Sequence, residues 1–258
     1  MTYLEKVIKF NEYMITTMPH YLSDYQKAPK DVFHQRRFMR ALMNVTQPLV
    51  LPRTIENIQN SILQEDLEKK GTITTADMED KGNGIYLFQG DITRIETGAI
   101  VNAANNQMLG CFSPLHDCID NIIHSAAGVQ LRYACNTIEK IQGHPENTGE
   151  AKITKAYNLP CDYVLHTVGP IVAGGHLTKY HEQLLENCYV SCVKLAVEHQ
   201  VKSIAFCCIS TGVFGFPQQE AAEIAVRTIK RLQKEYPLTF IFNVFTDKDK
   251  DIYEALLG

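Results

Sequence analysis

From Gly84 onward the chain alternates short runs rich in Val, Ile, Phe and Tyr with longer amphipathic stretches, and no other feature constrains its fold as strongly. Runs at residues 85–89, 99–103, 151–157, 163–168, 203–209 and 239–245 have the length and composition of strands. Helical stretches fall between them at about 118–139, 177–200 and 218–235, and a last helix closes the chain at 249–257. The stretch 177–200 shows the pattern most clearly, because Leu184, Leu185, Cys188 and Cys192 form a stripe at helical spacing. Strands alternating with helices predict an α/β fold in which a mainly parallel or mixed sheet is covered on both faces, three layers in all. Ligands of such folds bind beyond the carboxyl ends of the strands, where loops with free backbone N–H groups meet helix N-termini.

Residues 1–80 follow a different rule. Leu4, Val7, Ile8 and Ile15 recur at helical spacing, as do Ile55, Ile58, Ile62 and Leu63, while Pro29, Pro48 and Pro52 punctuate the region. A helical N-terminal extension over 1–80 therefore precedes an α/β domain over 81–258, with the polar stretch 74–83 as the junction. The formal net charge of -4 argues against a nucleic-acid binder held by bulk positive charge, and no basic aromatic platform is present. Glu5, Lys6, Lys9 and Glu12 interrupt the first twenty residues where a signal peptide needs an apolar run, and no run is long enough to span a bilayer. A cytoplasmic protein is the expectation, and its 8 cysteines are then expected as thiols. Cys161, Cys188, Cys192, Cys207 and Cys208 fall at core positions. Cys111 and Cys118 lie close together with His116 between them.

Loops that carry candidate chemistry fall at strand ends. These are Gly90-Asp91-Ile92-Thr93, Asn102-Ala103-Ala104-Asn105-Asn106, Ala127-Gly128-Val129-Gln130, and Ser210-Thr211-Gly212-Val213-Phe214-Gly215-Phe216-Pro217. The last has glycines and hydroxyls between an apolar strand and a helix, a composition that lets backbone amides approach a phosphate closely. Between the second and third loops, residues 111–118 read C-x4-H-x-C. Two thiolates and an imidazole are ligand types that favour Zn²⁺, on a bent loop leading into a helix N-terminus that helps keep the Cys118 thiolate charged. Three protein ligands leave one position open, as in a catalytic site; Asp117, His124 or Cys135 as a fourth would close it, and an ordinary loop with scattered thiols is the competing reading. His124 and His166 sit in apolar surroundings typical of core histidines, and Arg36, Arg37 and Arg40 form a basic stripe, either a solvated face or a contact for a protein partner.

These loops, taken in order, resemble a macrodomain, the ADP-ribose-binding α/β fold. The resemblance runs from about Ile85 to Leu257 and is carried by Gly90-Asp91-Ile92-Thr93, by Ile100-Val101-Asn102-Ala103-Ala104-Asn105, by residues 119–128, by Val164-Leu165-His166-Thr167-Val168-Gly169-Pro170 and by residues 210–217. It implies that Asp91 and the Ile92 N–H recognise adenine and that Phe245 stacks on it. It further implies that amides of Ser210, Thr211, Gly212, Val213 and Phe214 and of the Gly128-Val129 turn hold the diphosphate. Asn105 would bond the distal ribose, and Asn102, also expected among the ADP-ribose-binding residues, would support its loop. The chain departs from many catalytic macrodomains between the NAAN segment and the next helix, where 109–118 replaces a glycine triplet with the Cys/His loop.

That departure, and the helical extension, resemble the zinc-dependent macrodomains of bacteria. The resemblance implies a hydrolase that removes a single ADP-ribose from acidic side chains of a modified protein, with one zinc ion on Cys111, His116 and Cys118 beside the ribose. Asn105 would fix the ring, and Asp120 would position water or act as general base. It also implies a sirtuin-type ADP-ribosyltransferase as the opposing enzyme and a lipoyl-carrier protein as substrate. A non-catalytic reader of ADP-ribose is the alternative.

Overall fold

The structure is a computed structural model that describes Met1–Gly258. Its strands are β1 (Glu79–Asp80), β2 (Ile85–Gln89), β3 (Thr97–Ala104), β4 (Ala151–Lys155), β5 (Cys161–Val168), β6 (Ser203–Phe206) and β7 (Thr239–Val244). Its α-helices are α1 (Tyr3–Thr17), α2 (Leu22–Lys27), α3 (Val32–Val45), α4 (Arg53–Lys70), α5 (Ile119–Ala127), α6 (Val129–Gln142), α7 (Lys179–Glu198), α8 (Gln218–Glu235) and α9 (Asp247–Leu257). The strands form one sheet in the order β1-β2-β7-β6-β3-β5-β4. Neighbours from β2 to β5 are parallel, and both edge strands are antiparallel to the strand beside them.

Every predicted strand forms, and β1 adds a two-residue edge inside the polar junction, too short and too exposed to leave an apolar signal. The layering is visible in consecutive residues of β5. His166 Nε2 lies 3.6 Å from Cys135 Sγ on α6, whereas Thr167 faces Cys188 on α7. Side chains alternate along a strand, so α6 and α7 cover opposite faces. The central strands are buried on both sides, and Ile100, Val101, Val164, Leu165, Ile204 and Ile241 are fully enclosed. No helix is long and apolar enough to cross a membrane.

The predicted helix 118–139 is two helices meeting at Gly128. Gly128 has φ 102° and ψ 169°, a conformation that side chains other than glycine rarely adopt, and the ends of Gln130 and Gln59 close around it. Gln59 belongs to α4. The extension is therefore packed onto the body, with α1, α3 and α4 burying Val7, Phe10, Met14, Met39, Leu42, Ile58 and Ile62 in a second core that also takes in Val129 of α6.

Candidate functional site

Because β2, β7, β6 and β3 are parallel neighbours, the loops leaving their carboxyl ends line up across one edge of the sheet. Together they line a cleft of about 1740 Å³. In spatial order the cleft meets Asp91 and Ile92 after β2, Phe245 after β7, Ser210 to Phe214 after β6, and Asn105 with the Cys/His loop and the start of α5 after β3. Strands lie 4.7–4.9 Å apart, so the three spacings from β2 to β3 span about 14 Å, a length suited to a dinucleotide. The extension supplies the remaining wall through Val32, Phe33, Arg36, Arg37 and Arg40 of α3 and Asp66, Lys69 and Lys70 of α4.

At the β2 end, Asp91 Oδ1 accepts from the Thr93 N–H at 3.0 Å and from its hydroxyl at 2.6 Å, while Oδ2 lies 3.3 Å from Lys70 Nζ. Burial opposes the charge, but these donors prevail and hold the carboxyl below its ordinary range. Phe245 follows the last residue of β7 and swings out of the core, 75% exposed on the cleft. In the middle of the cleft, the N–H groups of Thr211, Gly212, Val213 and Phe214 have no acceptor within the protein, the loop being closed instead by Gly215 N–H to Gly212 O and Phe216 N–H to Ser210 O, each 3.0 Å. Ser210 Oγ is buried and likewise unpartnered. A Cβ on Gly169 would overlap that oxygen and come within 2.8 Å of Ile209 Cγ2, so glycine is required where the chain leaving β5 passes the loop. Consecutive free amides of this kind form an anion-binding concavity.

At the β3 end, the sulfurs of Cys111 and Cys118 and a ring nitrogen of His116 lie within 4.8 Å of one another, a donor group able to hold a metal ion. Cys111 Sγ is 3.6 Å from His116 Nδ1. The loop is braced from outside: Asn121 Nδ2 donates to Cys111 O at 3.3 Å and Ser113 O at 3.0 Å, Asn44 Oδ1 accepts from Leu115 N–H at 2.9 Å, and Arg40 Nη2 donates to His116 O at 2.7 Å. The Asp117 carboxylate points to Arg40 at 3.2 Å, and its side chain is 85% exposed. His124 and Cys135 belong to a separate buried group with His166, so none of the three fourth-ligand candidates joins the loop. In that second group His166 is already satisfied, with Thr154 Oγ1 2.9 Å from Nε2 and Asn102 Nδ2 3.2 Å from Nδ1.

Asp120, in the first turn of α5, connects the two groups. It lines the cleft yet is buried, and burial pushes its carboxyl up to about 6 against the opposing pull of Asn102 and Arg132. Asn102 Nδ2 donates to Oδ1 at 2.8 Å, and Asn105 Nδ2 lies 3.5 Å from Oδ2 and 3.1 Å from Gly110 O. A buried carboxylate that lines a cleft and is held by side-chain amides can orient water or accept a proton.

Four sequence expectations change. Asn102 is fully buried, and its side chain serves Asp120 and His166 rather than a ligand. Gly128 and Val129 do not reach the cleft: the Val129 N–H donates to Gln59 Oε1 at 3.1 Å, so α4 covers the turn expected to bind phosphate. Cys118 does cap α5, accepting from Asn121 N–H at 3.5 Å, but burial outweighs that contact and pushes its thiol up to about 11. The arginine stripe is not one solvated face, because Arg36 pairs with Asp66 at 2.7 Å and Arg40 with the Cys/His loop. Asn44, Asn121, Lys70 and Arg132 give no sign of their roles in the sequence, because each acts on a segment remote in sequence or through its neighbours' backbone.

Fold and site define an α/β protein with an anion-binding cleft of dinucleotide length. Residues 101–225 match the Macro domain family. The chain is 48% identical over 264 residues to a protein-ADP-ribose hydrolase of Treponema medium, covering 100% of both chains. It is 49% identical over 218 residues to a protein-ADP-ribose hydrolase of Staphylococcus aureus strain MSSA476, covering 83% of this chain and 82% of that one. Among solved structures it resembles the Oceanobacillus iheyensis macrodomain with ADP (TM-score 0.63, 36% identity, 70% of this chain and 93% of that one). It also resembles the Trypanosoma brucei macrodomain in complex with ADP-ribose (TM-score 0.66, 29% identity, 85% and 95%). The chain belongs to the macrodomain family.

Proposed function

We infer that this protein is a hydrolase that removes ADP-ribose from modified proteins. The observation that carries the reading is the order of groups across the cleft: Asp91 and the exposed ring of Phe245, free amides at 211–214, then a buried carboxylate beside a metal-donor triplet. That order matches base, diphosphate and distal ribose. The names of the Treponema and Staphylococcus relatives support it.

In this reading Asp91 and the Ile92 N–H take the adenine edge and Phe245 its face, while Ser210, Thr211, Gly212, Val213 and Phe214 hold the diphosphate. Asn105 fixes the ribose, and the bond to be cleaved joins that sugar to an acidic side chain. Asp120, oriented by Asn102, positions the attacking water and takes its proton. Cys111, His116 and Cys118 hold one zinc ion. The 3.6 Å separation of Cys111 Sγ and His116 Nδ1 supports this, since bonds of ~2.3 and ~2.0–2.1 Å at a tetrahedral angle put sulfur and nitrogen about 3.6 Å apart. When bound, zinc supplies Lewis acidity beside the ribose. Residues 81–258 are the macrodomain proper, and residues 1–80 are an extension that walls its cleft. The family resemblance adds a lipoyl-carrier protein as substrate and a sirtuin-type transferase as opposing enzyme. Eight free cysteines suit a reducing compartment such as the cytoplasm.

The test pairs metal analysis with release of ADP-ribose from a mono-ADP-ribosylated protein. Wild type is expected to carry one zinc and release ADP-ribose, and Cys118→Ala or a chelator to remove both. Full release by a protein stripped of zinc overturns the metal's role. Tight ADP-ribose binding by a zinc-loaded protein that releases nothing makes it a reader.

A further inference from the structure

The outward face of α3 has no partner in the fold. Val32, Phe33 and Arg37 are exposed there, Phe33 at 69%, and all three border the cleft. Phe33, Arg37 and Arg40 stand four and three residues apart, so they share one helix face. Arg36 is paired with Asp66, and Arg40 with His116 O and Asp117, which leaves Arg37 with a free guanidinium. Nearby carboxylates are also engaged: Asp31 contacts His34 at 2.7 Å, and Asp66 accepts from Tyr3 as well as Arg36. The surface is thus apolar and carries one cation, Arg37, that no carboxylate of the chain pairs. Isolated exposed apolar side chains are ordinary on a protein surface, but here two are adjacent, beside an unpaired cation, on the wall of a ligand cleft.

Its position determines what it meets. Arg40 ties one end of this face to the Cys/His loop, and Arg37 and Phe33 follow at one and two turns, so the face starts at the end of the cleft assigned to the distal ribose and runs along its wall. A carrier protein bonded to that ribose is too large to enter and has to rest against the adjoining wall. We propose that Val32, Phe33 and Arg37 form the docking surface for the protein that carries the ADP-ribose, and that this partner presents an apolar side chain flanked by carboxylates. The inference rests on the hydrolase reading of the site, which places the scissile bond there. Opposite charge on the partner raises the rate of encounter and sets orientation, and the apolar pair supplies area removed from water.

The experiment uses the full chain and two peptides of equal length that carry ADP-ribose through a non-cleavable amide. One has Leu flanked by Glu near the modified position, and the other has Lys in place of each Glu. Binding is measured by calorimetry and normalised to free ADP-ribose for each protein. Wild type is expected to bind the acidic peptide about five- to tenfold tighter than the basic one. Arg37→Glu is expected to invert the order, and Phe33→Ser to weaken the acidic peptide relative to free ADP-ribose. Both side chains are exposed, so neither change disturbs the core. Equal affinity for the two peptides in wild type, or an acidic preference that survives Arg37→Glu, overturns the proposal. Release of ADP-ribose from an ester-linked acidic peptide is scored separately: its failure beside an intact acidic preference removes the hydrolase reading and leaves the docking surface standing.

Discussion

Arg40 on α3 donates from Nη2 to the backbone carbonyl of His116 at 2.7 Å, and so a residue of the extension holds the loop that carries the metal donors. The same nitrogen reaches Asp117 Oδ1 and Asn121 Oδ1, each at 3.2 Å. Outer contacts of this type orient ligands that would otherwise wander, and their loss typically lowers metal affinity about 10- to 100-fold. We expect Arg40→Ala to weaken zinc binding by about that factor, read by competition with a chromophoric chelator. An unchanged affinity means that the loop holds its shape without the extension.

Asp120 separates chemistry from binding. Replacement by Asn keeps an oxygen for the 2.8 Å bond from Asn102 but removes the proton acceptor. We expect Asp120→Asn to slow ADP-ribose release about 10²-fold or more while ADP-ribose still binds. Wild-type turnover in this variant eliminates the carboxylate as base.

Arg132 is a buried link between the two cores. Its Nε donates to Leu109 O at 2.6 Å, and its Nη1 donates to Met43 O at 2.9 Å and to Thr46 O. Arg132→Ala strands three carbonyls, and we expect it to destabilise the fold by about 3 kcal/mol, measured by urea denaturation. A chain beginning at residue 81 loses the Met43 and Thr46 acceptors and uncovers Val129, so it is expected to aggregate where the full chain does not. A stable, monomeric 81–258 fragment contradicts this account of the extension.

Acid should loosen the fold before general carboxylate titration begins. Burial holds His124 well below its ordinary range and His166 down to about 3, while it lifts Asp120 to about 6. Between roughly pH 4 and 6 the unfolded chain binds two imidazole protons that the folded chain refuses, and the folded chain binds one carboxyl proton that the unfolded chain lacks. Unfolding therefore takes up a net proton, and stability falls as pH drops through this window, by about 1.4 kcal/mol per unit. Urea midpoints at pH 7, 6 and 5 give the slope; a midpoint that rises on acidification contradicts neutral, buried histidines.

The strands were legible because each is a local run of β-branched and aromatic residues, and 85–89 appears at those bounds as β2. The Cys/His loop was legible for a similar reason, since its donors lie within eight residues of one another and chelation by a bent loop is a local event. The Gly128-Val129 turn misled because nothing in its own residues reveals that Gln59, 70 residues earlier, takes the Val129 N–H. Asn102 misled because nothing in its own strand reveals that Asp120 on α5 and His166 on β5 take its side chain.

Short-range patterning was thus enough to establish the α/β class, the helical extension and the set of loops beyond the strand ends. Propensity, periodicity and turn chemistry act over a few residues, and those features need nothing more. Which loop amides stay free, which are capped, and which arginine is left unpaired followed from packing alone. Each depends on segments 30 to 89 residues apart meeting as α3 and α4 pack onto the Cys/His loop, α5 and α6. Such contacts arise only when buried apolar surface brings those segments together, and that geometry has no signature in any single stretch of chain.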